Sequence, residues 1–112
     1  MRQTTINVLG TDYAIREMER AQDAYLNTCD GYCDKTSHTI VVVARDSDCE
    51  VDDFEVYQNQ CLRHEIIHAF LYESGLHNNW KHDTWGHDET CVDWIAIQFP
   101  KIAKVFEELK IL

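Results

Sequence analysis

The sequence predicts an α+β fold: a small, mainly antiparallel sheet packed on one long helix, with a second long helix after it. Three observations carry this expectation. Short apolar stretches bounded by turn residues fill the first half of the chain. Two long helical patterns fill the second half. Strands followed by helices, rather than alternating with them, is the α+β order. At 112 residues the chain suits one domain, 1–112, with one modest core.

The elements follow in order. Ile6 and Val8, then Tyr13 and Ile15, alternate on either side of Gly10-Thr11, the pattern of a β-hairpin. Residues 17–26 carry charges and read as a short helix or a loop. Residues 28–38, "TCDGYCDKTSH", are turn-rich. "TIVVVA" at 39–44 is the clearest strand, β-branched and bounded by polar clusters. "RDSDCEVDD" at 45–53 is an acidic loop. A helix is predicted from about 53 to 74. Asp52 or Asp53 can cap it, with Glu55 placed as in a capping box, and Gly75 can end it. Leu62, Ile66, Ile67, Phe70 and Leu71 leave that helix only a narrow wet stripe, so it should lie between the sheet and the next helix. Residues 77–88 form a polar loop carrying Trp80 and Trp85, which serve either to wall a pocket or to pin the loop. The last helix is predicted from about 88 to 110. Val92, Ile95, Ala96 and Phe99 make its first apolar stripe, and Ile102, Val105, Phe106 and Leu109 its second. Pro100 should kink or break the helix between them.

The net charge is −10. That disfavours nucleic acid as a partner, because phosphate recognition needs a basic patch, and it disfavours anionic membrane surfaces. The first ten residues lack the apolar core of a signal peptide, and no apolar run approaches a membrane span, so the expected location is the cytoplasm. The five cysteines are then expected as reduced thiols.

"RHEIIHAFLYESGL" at 63–76 carries the chemistry. On a helix, residues four apart share a face one turn above each other, so His64 and His68 can grip one metal ion. Glu65 stands beside that position, where a water would sit. Two imidazoles with an adjacent carboxylate is the zinc-hydrolase arrangement: Zn²⁺ acidifies the water and the glutamate takes its proton. A catalytic zinc needs a third protein ligand and an open position. His77, His82, Asp83, His87, Asp88, Glu89, Cys91 and Asp93 all follow downstream. Glu89 lies three before Val92 and seven before Ala96, extending a stripe expected to pack on the first helix. It is therefore the favoured ligand, with His87 and Asp88 as alternatives. Asp93 could orient a ligand histidine or serve as ligand itself. Tyr72, His82 and His87 are the candidates for stabilising an oxyanion.

HExxH followed by a second helix carrying E-x-x-x-D resembles the gluzincin branch of the zincin metallopeptidases, here through His64, Glu65, His68, Glu89 and Asp93. In size the chain is similar to minimal zincin-like proteins of phages and mobile elements, and in plan to the ImmA/IrrE-type metallopeptidases. The metzincin pattern is not met, since Leu71 and Ser74 stand where glycine and histidine belong. The resemblance implies zinc, hydrolysis of peptide bonds in a peptide or protein substrate, and strand addition of that substrate to the strand beside the helix, taken as 39–44. A cleaver of one specific repressor is a narrower form of the same reading. The rival is a non-catalytic zinc-binding interaction protein, with Cys61 or Asp93 filling the fourth position. Cys29 and Cys33, with Cys49 and His38, could form a second zinc site, though the loop reads equally as a turn with free thiols. Cys61 and Cys91 otherwise read as packing.

Overall fold

In a computed structural model that describes residues 3–46, 49–79 and 89–112, the chain forms four strands and two long helices. They are β1 (Gln3–Val8), β2 (Thr11–Met18), β3 (Gly31–Asp34), β4 (Thr39–Val43), α1 (Phe54–Ser74) and α2 (Glu89–Leu109). The sheet order is β1-β2-β4-β3. β1 pairs antiparallel with β2 and β3 antiparallel with β4, while β2 and β4 run parallel. The architecture is α+β, as the sequence predicts, with a mixed sheet.

The β1–β2 hairpin turns at Leu9-Gly10, one residue before the predicted position. Both residues have positive φ, 51° and 98°, which is the turn whose twist matches a hairpin. Gly10 takes that conformation without strain, and its N–H donates to Asn7 Oδ1 at 3.0 Å. Residues 20–22 and 24–27 form two 3₁₀ turns that carry the chain away from β2. Arg20 fastens this excursion: its guanidinium donates to the carbonyls of Leu26 and Cys29 and to the carboxylates of Asp30 and Asp46.

β4 is an interior strand. Ile40 and Val42 join the core beneath the helices, while Val41 and Val43 pack with Leu26 on the opposite face. Burial on both faces explains why its sequence is apolar without alternation. The expectation that 39–44 is the open strand beside the helix is therefore corrected: β2 and β3 occupy both of its sides. Among the described residues the sheet edge beside α1 is β3, within the segment read as turns.

α1 begins where predicted. Asp53 caps it, accepting from Val56 N–H at 3.1 Å, and Gly75 closes it with φ 81°. Glu55 then sits at the second helical position rather than the third that a capping box requires. Leu62, Ile66, Ala69 and Phe70 face the core. Ile102, Val105 and Phe106 of α2 join the same core, while Ile67, counted in the sequence among the residues that narrow the wet stripe, is 39% exposed. The helices run antiparallel: Arg63 donates to the Ile111 carbonyl, and Trp94 Nε1–H donates to Ser74 Oγ at 3.0 Å.

α2 runs through Pro100 as one helix, with the proline exposed. Its inward face differs from the first predicted stripe. Ile95 and Phe99 are 49% and 57% exposed, whereas Trp94 packs on the core. Trp94, Gln98, Ile102, Val105 and Leu109 follow the three-four spacing of one helix face. Residues 92–99 are apolar on several sides, so periodicity there does not single out a direction.

Candidate metal centre

His64 and His68 stand one turn apart on α1, and their Nε2 atoms face each other at 3.1 Å. Two nitrogens on one tetrahedral zinc, each at about 2.05 Å, lie about 3.3 Å apart. The helix alone thus presents a ligand pair at nearly the right spacing. Without an ion one ring nitrogen must donate to the other; with one, both can act as acceptors, the role a ligand takes. His64, Glu65 and His68 offer ligand atoms that all lie within 4.8 Å of one another, and they form the only such group among the described residues. The residues present therefore fit a metal ion.

Burial separates the three. His64 is exposed and His68 half-buried. Burial, then the charges of His64 and His77, lowers the pKa of His68 and keeps it in the neutral form a metal requires. Glu65 is only 9% exposed. Burial raises its pKa, against a smaller opposing effect of His64, so its carboxylate is more basic than one in water.

β3 is what buries Glu65. A β-carbon on Gly31 would lie 3.5 Å from both Cγ and Oε2 of Glu65, and 3.0 Å from the Val41 carbonyl oxygen. Glycine thus permits the close approach to the Val41 carbonyl, while a β-carbon would meet the glutamate only at ordinary contact distance. Tyr57 donates to Asp30, the residue before, and ties the start of β3 to the first turns of α1. An open cleft of about 390 Å³ lies at this junction, lined by Cys29, Gly31, Cys61, His64 and Glu65 among others. Cys61 is half-buried against the core and also borders the cleft, so both roles expected of it meet at one position.

Tyr72 lies one turn beyond His68, its ring stacked at 6.1 Å from the imidazole, and the ring of His77 meets Tyr72 edge-on at 4.6 Å. The predicted oxyanion candidate Tyr72 is thus near the pair. His82 and His87 lie outside the described residues, as do Asp83, Asp88, Trp80 and Trp85. Glu89 opens α2, but its side chain and that of Asp93 are also outside the described set. Of the stripe that pointed to Glu89, Ile95 and Phe99 are exposed, and the side chains of Val92 and Ala96 lie outside the described residues. Cys29, Cys33, Cys49 and His38 are all described and do not form a second metal group.

Sequence reasoning missed Gly31 and the edge strand it begins. Four residues of mixed polarity are too short to show a period. A signal did exist in β4: a run apolar at every position needs neighbours on both sides, and 28–38 was the segment left to supply one.

Compared with protein-family models, with curated proteins and with solved structures, the chain shows no match. Among the described residues no helix is long and apolar enough to cross a membrane.

Proposed function

We propose that this chain is a zinc-dependent, zincin-like hydrolase of peptide bonds, in the manner of the minimal phage or mobile-element proteins its motif resembles. The observation that carries the proposal is the converging His64/His68 pair with a buried carboxylate beside it, at the open edge of a strand. His64 and His68 hold the metal, and Glu89 from the start of α2 is the proposed third ligand. Zinc held there would supply an acidified water and a Lewis acid for the scissile carbonyl. Glu65 takes the proton from the attacking water and hands it to the leaving amine. Its raised pKa suits both halves of that transfer. Tyr72 is the proposed donor to the developing oxyanion. An extended peptide joins the free edge of β3, which brings its backbone past Glu65. The acidic surface makes a peptide or protein the expected partner, rather than nucleic acid or an anionic membrane.

Zinc content by elemental mass spectrometry tests the site. One zinc per chain is expected in wild type, with loss in His68→Ala and weakening in Glu89→Ala. If His77→Ala loses zinc while Glu89→Ala keeps it, the third ligand moves to His77. Glu65→Gln should retain zinc and lose peptide hydrolysis by about 10²-fold or more; full activity in that variant would end the hydrolase reading.

A second reading has one observation in its favour. Cys61 borders the cleft together with His64 and Glu65. Were Cys61 the fourth ligand, the site would be closed and structural, as in an interaction protein. Zinc content unchanged in Cys61→Ser excludes that role.

A further inference from the structure

Beyond the metal pair, the free edge of β3 leads to a second open pocket of about 450 Å³, lined by Tyr25, Tyr32, Tyr72, Asp34 and Lys35 among others. Tyr25 and Tyr32 lie 5.4 Å apart with tilted rings, and Tyr25 is 73% exposed. Lys35 Nζ sits over the face of Tyr72, 5.3 Å from the ring centre. The pocket thus already holds a cation on an aromatic face, and that cation is the tip of a flexible side chain on an exposed turn. All three tyrosines border the pocket, Tyr72 from α1 and Tyr32 with Tyr25 from the other face of the sheet edge, and each negative ring face suits a cationic group.

The surroundings have the matching sign. The charges that push the Cys33 thiol up to about 12, after burial itself, are Glu65, Asp34 and Glu73, all carboxylates. Those acting on the Tyr32 hydroxyl are Asp23 and Asp34. The whole chain carries −10, a field that attracts basic peptides.

We propose that this pocket is a specificity subsite for an arginine or lysine side chain of a peptide added to β3, with the substrate cation displacing Lys35 from Tyr72. The proposal rests on the reading of the cleft as a peptide-hydrolysing site. Gly31 faces Glu65, and Cys33 and Asp34 border the pocket. Two to three residues along a strand span about 7–10 Å. The basic residue therefore belongs two or three positions from the scissile bond.

The test is an arginine walk. One arginine is placed at each position in turn of a neutral decapeptide, and binding to zinc-loaded Glu65→Gln protein is read by fluorescence anisotropy. Cleavage by zinc-loaded wild type is measured in parallel. The expected result is one or two favoured positions, bound at least tenfold tighter than the same peptide with leucine or glutamate there. Lys35→Ala should sharpen the preference, and Tyr25→Ala should weaken it with zinc content unchanged. Equal binding at every arginine position would mean attraction by net charge alone and would overturn the subsite, as would a preference for leucine or glutamate, or no binding at all. Binding with the expected preference but no cleavage by wild type would keep the subsite and remove the hydrolase reading.

Discussion

Gly31 and Glu65 set the chemistry of the cleft between them. The glutamate is basic because it is buried, and Gly31 lies beside it at a point where the strand passes close to the Val41 carbonyl. Gly31→Ala would crowd the Val41 carbonyl, which belongs to the backbone of a central strand and has little room to yield. The expected cost is about 1–2 kcal/mol of stability, seen as a lower denaturation midpoint. An unchanged midpoint would show that the edge strand can shift freely. Two residues along, Cys33 is held as a thiol by burial and by its acidic neighbours. In the native protein at pH 8 an alkylating reagent should spare it and label it fully in urea, as read by peptide mass spectrometry. Equal labelling in both conditions would contradict its burial.

Each element is held by a few identifiable contacts, and these explain what the sequence could reveal. The caps of α1 and the turn of the hairpin are local, so Asp53, Gly75 and Gly10 could be read from their neighbours alone. The HExxH pair was legible for the same reason, since one helix supplies both histidines. Placement of β3 is not local. It depends on Asp30, whose carboxylate receives the Tyr57 hydroxyl from α1 and the Arg20 guanidinium from the far side of the excursion. No short window of sequence contains all three residues. The Tyr57 hydroxyl, then Arg20, hold Asp30 below the usual carboxylate range. A depressed folded-state pKa contributes stability above the unfolded value, near 3.8, and loses it as the pH falls through the folded value. Asp30→Asn should therefore remove about 1 kcal/mol at neutral pH, a half-exposed network being partly screened, and flatten the acid limb of the stability curve. A parallel loss at every pH would place the effect elsewhere. The direction of α2 was the other illegible feature, because its first half is apolar on several sides. Phe106→Ala should cost about 3–5 kcal/mol and Phe99→Ala less than about 1. Comparable losses would mean that Phe99 is covered after all.

At the scale of the whole molecule, the histidine pair sits on α1, which meets both the sheet and the second helix. α1 packs on β3 and β4 beneath and on α2 above. A ligand from beyond α1 would make the metal a cross-link between elements. Free zinc at a hundred times its dissociation constant should then stabilise the fold by about 2.7 kcal/mol, a rise in melting temperature on the order of 10 °C for a domain of this size. A chelator should reverse it. The same rise in His68→Ala would show that zinc acts somewhere else.

The parallel pairing of β2 with β4 also sets an order of events in time. Residues 19–38 must leave the sheet and return before the two strands can meet, and the entropy of closing that loop is lost before any contact compensates for it. The β1–β2 hairpin faces no such delay and can form within microseconds. A chain diluted from denaturant should therefore acquire its hairpin early and the burial of Glu65 late, when β4 and β3 arrive together. Arg20→Ala, which unfastens the excursion, should slow refolding rather than hasten unfolding.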